Sequence, residues 1–242
     1  MTLGLETEAI EIAGGSDKMQ PTRVTRVRSR APRDTPMSLI DLAALEAAPL
    51  AREPFDHVIV PGFLAGDALA AVTRDFPTIA RGGSFPLSSL EPGPSFDAMM
   101  AELRGPALTR AIEAKFGIDL AGRPVMQTVR GRVRPADGQI HTDSGGKLIT
   151  MLLYLNEGWE ADGGRLRLLR GPDDLEDYAA EVPPEAGTLL VFRCAPNAWH
   201  GHAPVEGERR SIQINWVRDA RYLWREQVRH GVSALFKKLR AA

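Results

Sequence analysis

Two short stretches of the chain carry side chains that could bind one metal ion together. His141 and Asp143 stand two positions apart after the turn-like residues 135–138, and residues i and i+2 of an extended chain point to the same side. His200 and His202 follow a predicted strand farther along, and either could supply a third ligand. Two histidines and one carboxylate on one face of an octahedron suit Fe(II) oxygenases, while zinc accepts the same ligand types.

A basic pair and a serine follow these histidines. Arg209 and Ser211 alternate onto one face of a predicted strand, so a guanidinium and a hydroxyl could bind one carboxylate together. 2-Oxoglutarate that chelates iron through its keto-acid end needs a planar, permanently charged partner for its far carboxylate. Arg209 meets that need, whereas Arg210 is interpreted as a solvated surface charge.

Short β-patterned segments surround the candidate site residues. Gly, Pro and Asp separate them, and several short strands at such spacing indicate a sandwich or jelly roll. Helices concentrated before these strands are expected to pack on one outer face. The predicted strands lie at 54–64, 125–133, 148–155, 165–169, 188–192 and 211–217, and two of the predicted helices lie at 95–104 and 106–116.

The predicted fold class is mostly β with flanking α-helices, a double-stranded β-helix (jelly roll, cupin-like) core packed against N-terminal helices. We predict a flexible N-terminal arm at 1–35 and one catalytic domain at 36–242. Within that domain we expect helical support at 36–122, the jelly-roll core at 123–218 and a C-terminal helix at 221–240.

Composition narrows the function classes. The 242 residues are 43% hydrophobic, which is enough for one sizeable core. Thirty basic and 31 acidic side chains give a formal charge of -1, which disfavours nucleic acid or a membrane surface as the partner. Cys194 is the single cysteine, and we read no secretory signal at the start, so a cytoplasmic location is expected.

Taken together, the motifs at 125–217 resemble those of the 2-oxoglutarate and Fe(II) dependent dioxygenases, nearest to the prolyl-hydroxylase-like branch. Their order and spacing carry more weight than any one of them. The matching stretches are His141-x-Asp143, the Tyr-Leu-Asn-Glu-Gly-Trp run at 154–159, Gly-Gly-Arg-Leu at 163–166, the Pro-x-x-Gly-Thr-Leu-Leu-Val-Phe run at 184–192, His-Gly-His-Ala-Pro-Val at 200–205, and Arg-Arg-Ser at 209–211.

The resemblance implies a role for particular residues. In this branch the distal iron ligand stands four residues before a proline, which selects His200 and makes His202 a neighbour. Arg209 with Ser211 maps to the pair that binds the far carboxylate of 2-oxoglutarate. Tyr154 matches a tyrosine whose hydroxyl helps to hold the same carboxylate.

The resemblance also implies an activity. Fe(II) is the expected metal, 2-oxoglutarate the cosubstrate, and ascorbate a candidate reductant. The expected reaction is hydroxylation of a C–H bond by dioxygen with release of succinate and CO2, and desaturation and ring closure stay open. The substrate class is equally open among small-molecule, sugar-linked and peptidyl compounds.

One departure from the family pattern concerns the strand before His141. Many prolyl-hydroxylase relatives carry a tyrosine there, which this strand lacks, and this puts a prolyl substrate in doubt. Arginines of this strand and of the strand at 165–169 could receive an anionic or sugar-linked substrate, or they could form an outward charged surface. The arginines in question are Arg130, Arg132, Arg134, Arg165 and Arg167.

Two other functions stay open from the sequence. One is a cupin-like metal enzyme that does not use a keto acid. The other is a non-catalytic jelly-roll module that binds a carbohydrate through its basic strands. Both leave Arg209 and Ser211 without a role.

Overall fold

The computed structural model describes residues 38–226 and residue 228. The chain divides into two units, Met1–Met37 and Ser38–Ala242, of which the first lies outside the described residues. The predicted arm at 1–35 and most of the predicted helix at 221–240 therefore lie outside them too, although residues 220–226 are helical. The domain boundaries stay predictions.

Helices occupy the first part of the described chain. They are α1 (Leu42–Ala47), α2 (Gly66–Arg74), α3 (Pro94–Leu103) and α4 (Pro106–Phe116). The Asp41 carboxylate caps α1 by accepting a hydrogen bond from the Ala44 N–H at 2.9 Å. Pro106 begins α4, and Gly117 ends it in the left-handed conformation at φ 57°. The helices predicted at 95–104 and 106–116 are confirmed.

The strands form two antiparallel sheets. A six-stranded sheet has the order β1-β7-β4-β9-β3-β2, and a three-stranded sheet has the order β6-β5-β8. The bounds are β1 (His57–Val60), β2 (Phe85–Pro86), β3 (Val125–Val133), β4 (Lys147–Tyr154), β5 (Leu166–Leu169), β6 (Tyr178–Val182), β7 (Leu189–Arg193), β8 (His200–Gly201) and β9 (Gly207–Val217).

The two faces of the six-stranded sheet have different neighbours. Ile149, Met151 and Leu153 of β4 pack in one cluster with helical residues such as Phe96 and Leu108. Because side chains alternate along a strand, the intervening positions of β4 face the other way. Tyr154 and, at its margin, Leu152 pack there with Leu166 and Leu168 of the three-stranded sheet. We call this second side, turned toward the three-stranded sheet, the inner face.

The predicted jelly-roll core packed against N-terminal helices is confirmed. The strand expected at 54–64 is shorter, because Pro54 and Pro61 lie outside the segment that pairs with β7. The strand expected at 211–217 begins earlier, at Gly207. Sequence reasoning missed β2 and β8, which have two residues each, and β6, whose YAAEV sequence lacks a strong β pattern.

None of the helices in the described part of the chain is long and apolar enough to cross a membrane. The cytoplasmic location stays a prediction.

Candidate metal centre

Backbone pairing brings two histidines together between the sheets. His200 begins β8, which pairs with β5 in the three-stranded sheet. The N–H of His141 donates to the His200 carbonyl at 3.0 Å, and the His200 N–H donates to the His141 carbonyl at 3.0 Å. This bridge holds the loop that carries His141 against β8, and the two imidazole centroids lie 4.3 Å apart.

His141, Asp143 and His200 each offer one ligand atom, and these atoms all lie within 4.8 Å of one another. The Nδ1 of His141 lies 2.8 Å from the Gln139 carbonyl oxygen, and the Nδ1 of His200 lies 2.9 Å from that of Ala198. Because a protonated Nδ1 donates to each carbonyl, the Nε2 lone pair of each ring is left for a cation. The geometry is that of a two-histidine, one-carboxylate metal site.

Both carboxylate oxygens of Asp143 accept hydrogen bonds. The Lys147 ammonium lies 2.6 Å from Oδ1, and the Thr150 hydroxyl donates to Oδ2. Burial raises the pKa of Asp143, but the charges of Lys147 and His200 and these hydrogen bonds outweigh it, so the pKa lies below its usual value. The carboxylate is therefore ionised at neutral pH.

Burial also controls two neighbouring groups. Together with the charge of His141, it lowers the pKa of His200 to about 4. Burial and the negative charge of Asp143 raise the pKa of Cys194 to about 12. At neutral pH the His200 ring is thus neutral, as metal binding requires, while the Cys194 thiol stays protonated.

Arg209, Ser211 and Tyr154 meet farther along the inner face. Ser211 lies directly opposite Tyr154 across the β9–β4 pair, and the guanidinium carbon of Arg209 lies 5.1 Å from the Tyr154 ring centroid. All three residues are buried, at 6%, 5% and 0% exposure respectively. Burial outweighs the nearby charge of Arg209 and raises the pKa of Tyr154, so the hydroxyl can donate a hydrogen bond.

Two buried polar groups of this cluster, the Arg209 guanidinium and the Tyr154 hydroxyl, lack the partner that would stabilise them. The Nε of Arg209 donates to the Gly164 carbonyl at 2.9 Å, but no carboxylate of the described residues pairs with the guanidinium. The buried Tyr154 hydroxyl has no hydrogen-bond partner among the described residues. Because a buried cation and a buried hydroxyl are costly when unpaired, the cluster fits a carboxylate ligand such as the far end of 2-oxoglutarate.

His202 lies apart from the triad. Its N–H donates to the Gly138 carbonyl at 2.8 Å, and a Cβ added at Gly138 would lie 2.2 Å from the His202 ring. Burial, with the charges of Arg209 and Arg130, lowers the pKa of His202 to about 4. The structure therefore brings His200, and not His202, to Asp143.

The arginines of β3 do not form a shared basic face. Arg130 is half-buried and pairs with Asp137 at 3.1 Å, and the exposed Arg134 pairs with the same carboxylate at 2.9 Å. Arg132 is exposed, and a register shift in the pairing with β9 separates it from Arg130. These contacts do not support joint binding of an anion by the three arginines, because Asp137 neutralises part of their charge and the register shift separates Arg132 from Arg130.

The arginines of the other strand are also occupied. Arg165 donates to the Trp159 carbonyl at 3.0 Å. Arg167 forms ion pairs with Glu176 and with Glu181, the latter at 2.7 Å. Their charges are therefore used within the protein and do not support an anion-binding surface.

A cavity of about 330 Å³ opens beside the triad. Sequence reasoning missed several of its residues and their neighbours, because their only signal is which strand positions face inward, and that depends on strand pairing. Polar side chains dominate the wall, including Ser84, Thr128, Lys147, Gln213, Asn215 and Glu226.

Two sheets that enclose a His-x-Asp…His cluster define the core of a double-stranded β-helix metalloprotein. Residues 131–218 match the family model of the 2OG-Fe(II) oxygenase superfamily, and this segment contains all three residues of the triad. The matched segment is similar to the domain of this superfamily, which uses Fe(II) and 2-oxoglutarate.

Solved structures with a similar fold include prolyl hydroxylases, as the sequence resemblance predicts. A Pseudomonas putida prolyl-4-hydroxylase is 24% identical, covering 73% of this chain and 92% of its own, with a TM-score of 0.50. A Phytophthora capsici prolyl 4-hydroxylase is 17% identical, covering 74% and 63%, with a TM-score of 0.48. HygX from Streptomyces hygroscopicus, solved with nickel and 2-oxoglutarate, is 13% identical, covering 68% and 82%, with a TM-score of 0.47. No curated protein matches the chain significantly.

Proposed function

We propose that His141, Asp143 and His200 bind Fe(II), and that the protein uses 2-oxoglutarate and dioxygen to hydroxylate a C–H bond. The observation that carries this proposal is the buried Arg209 guanidinium, which has no carboxylate partner among the described residues and lies on the same inner face as the triad. A metal site alone would not need this cation. A dicarboxylate that binds a metal ion at one end and Arg209 at the other accounts for both the triad and the buried guanidinium.

The residues divide the work of binding. The two Nε2 atoms and the Asp143 carboxylate would hold the metal ion. Arg209 offers a rigid fork to the far carboxylate of 2-oxoglutarate, and Tyr154 and Ser211 add hydroxyl donors. Apolar neighbours such as Phe192 keep bulk water away from the buried His200 ring.

When bound, Fe(II) and 2-oxoglutarate supply the oxidising chemistry. One dioxygen molecule is consumed: one oxygen atom enters succinate as CO2 leaves, and the other becomes the hydroxyl of the product. Because Asp143 is present as a third ligand, no metal position is vacated for chloride, which supports hydroxylation over halogenation.

The substrate in this proposal is a compound that brings a polar group to the cavity beside the triad. Hydroxyl and amide side chains, among them Thr128 and Gln213, line that cavity. Such a wall suits hydrogen bonding to a small-molecule, sugar-linked or peptidyl substrate. A screen for substrate-stimulated succinate release would identify the class.

Anaerobic titration tests the cofactor assignment. Adding Fe(II) and then 2-oxoglutarate should produce a weak visible charge-transfer band, and air should then yield succinate. His200→Ala should abolish the band, whereas His202→Ala should retain it because the His202 ring lies against Gly138. Absence of the band and of metal-dependent 2-oxoglutarate binding would refute the proposal, and the reverse behaviour of the two variants would overturn the choice of His200.

A further inference from the structure

Three side chains of the inner face form a hydrogen-bonded chain that ends on the Asp143 carboxylate. The Gln213 amide donates to Asn215 Oδ1 at 3.2 Å, and the Asn215 amide donates to Thr150 Oγ1 at 2.7 Å. The Thr150 hydroxyl then donates to Asp143 Oδ2. Every bond therefore points its donor toward the carboxylate.

Strand pairing creates this alignment. Thr150 of β4 lies directly opposite Asn215 of β9, and Gln213 stands two residues from Asn215 on the same face. Asn215 and Thr150 are 0% and 1% exposed. Bonds that run in one direction polarise one another, so the chain presents a strengthened donor to Oδ2.

A purely structural role explains this chain poorly. Apolar side chains, such as Phe192 opposite Thr150 and Leu152 opposite Gln213, already fill neighbouring inner-face positions. Replacing a buried polar pair with apolar groups of similar shape is often nearly neutral for stability. Because all three hydrogen bonds point their donors toward Asp143, we interpret the chain as an arrangement that acts on this carboxylate.

The two oxygens of Asp143 are held by different kinds of donor. Oδ2 accepts from the buried Thr150 hydroxyl and, at 3.8 Å, from the Cys194 thiol, while Oδ1 accepts from Lys147, whose side chain lines the cavity. A lysine carries its ammonium on a flexible four-carbon stem, whereas a threonine is β-branched and stiff at χ1. Oδ1 is thus the oxygen that can be released to a metal ion.

We propose that Thr150 and Asn215 are positioning residues that hold Oδ2 and direct Oδ1 to the metal, with Gln213 as the outer end of the chain. This inference rests on the proposed metal site. Hydrogen-bond partners of metal ligands commonly change metal affinity by about 10- to 100-fold when they are removed. The effect should decline along the chain from Thr150 to Asn215 to Gln213.

Binding of Co(II) to the purified, metal-free protein tests the inference without depending on turnover. Thr150→Val should weaken Co(II) binding about 10- to 100-fold by calorimetry and change the visible Co(II) spectrum. Asn215→Leu should weaken binding less, and Gln213→Leu least. Thr150→Ser should restore both affinity and spectrum because it restores the hydroxyl.

A matched control removes another hydrogen-bonded threonine hydroxyl. Thr109 donates to the Gly105 carbonyl within α4, so Thr109→Val should bind Co(II) like the wild-type protein. Thermal unfolding checks that each variant is folded, and Asn215→Ala replaces Asn215→Leu if the larger side chain prevents folding.

The outcomes separate the two proposals. Wild-type affinity and spectrum in folded Thr150→Val and Asn215 variants would overturn the positioning role while leaving the metal site intact. Failure of the wild-type protein itself to bind Co(II) would overturn the metal site, and the positioning role with it.

Discussion

At the scale of single residues, the site is defined by charges that the protein buries at some cost. Asp143 is an ionised carboxylate held by a neighbouring ammonium, and Arg209 is a guanidinium that lacks a carboxylate within the described residues. An unpaired buried charge is strongly unfavourable, so the Arg209 guanidinium indicates a bound ligand of opposite sign. The inner face thus offers an anion for a metal and a cation for a carboxylate.

The role of Arg209 predicts a graded loss of 2-oxoglutarate binding. Arg209→Lys should raise the Kd for 2-oxoglutarate at least about tenfold, because an ammonium cannot reproduce the planar fork, and Arg209→Met should abolish binding. Arg210→Lys is the control, since Arg210 pairs with Glu208 at 2.7 Å. Equal effects at the two positions, measured by anaerobic titration, would contradict the assignment.

Lys147 should compete with a metal ion for Asp143. Lys147→Met removes the ammonium from Oδ1 and removes a positive charge beside the site, so Co(II) should bind several-fold more tightly at neutral pH. The Thr150 hydroxyl still donates to Asp143 Oδ2 in this variant. Weaker binding by calorimetry would mean that Lys147 mainly orients the carboxylate.

At the scale of elements, the loop before His141 is fixed at both ends. Asp137 accepts the Arg134 N–H at 2.9 Å and pairs with Arg130 of β3, so the turn is tied to the six-stranded sheet. The backbone bridge from His141 to His200 ties its other end to β8. The loop therefore connects the two sheets, and its conformation decides where His141 points.

Gly138 should be the most sensitive position of this loop. Its φ of +82° suits glycine, and a Cβ there would lie 2.2 Å from the His202 ring. Gly138→Ala should lower the free energy of unfolding by about 2 to 3 kcal/mol and weaken metal binding. Gly145→Ala is the matched control, since no atom lies within 4 Å of its Cβ. Similar denaturation midpoints for both variants would contradict this account.

At the scale of the whole molecule, the packing of the two sheets excludes water from His200 and His202. His200 and His202 are buried, and burial lowers the pKa of each to about 4. The unfolded chain takes up protons near the usual value of about 6.5, whereas the folded protein does so only at lower pH. Burial of these rings therefore couples the stability of the fold to pH.

The sign of this coupling gives a prediction for the metal-free protein. A buried histidine with a lowered pKa does not reduce the free energy of unfolding above about pH 6.5, where it is neutral in both the folded and the unfolded chain. As the pH falls toward 4, the unfolded chain takes up a proton that the folded protein does not, and stability is lost. For each ring, the free energy of unfolding should fall by up to about 3 kcal/mol between about pH 6.5 and 4. Urea denaturation of the wild-type protein and His202→Gln at several pH values measures this. A pH dependence as steep in the variant as in the wild type would contradict the role of His202.

The sequence by itself determined the fold class and predicted the candidate members of the site. Alternation in the segments at 125–133 and 148–155 indicated strands, because a side-chain period of two is a local property. His141 and Asp143 could be recognised as candidate ligands because they stand only two positions apart. The resemblance selected His200 and assigned Arg209, Ser211 and Tyr154 to 2-oxoglutarate binding. The roles assigned to these residues stay predictions.

Only the tertiary structure decided which side chains surround the site. Thr150 and Asn215 belong to no local motif, and they meet because β4 and β9 pair in one particular register. The register shift beside Arg130 likewise removed the basic surface that a regular strand would have offered. Register depends on contacts between distant segments, and a shift of one residue turns every side chain to the other face. The sequence could therefore name a metal site, whereas strand pairing decided what holds Asp143 in place.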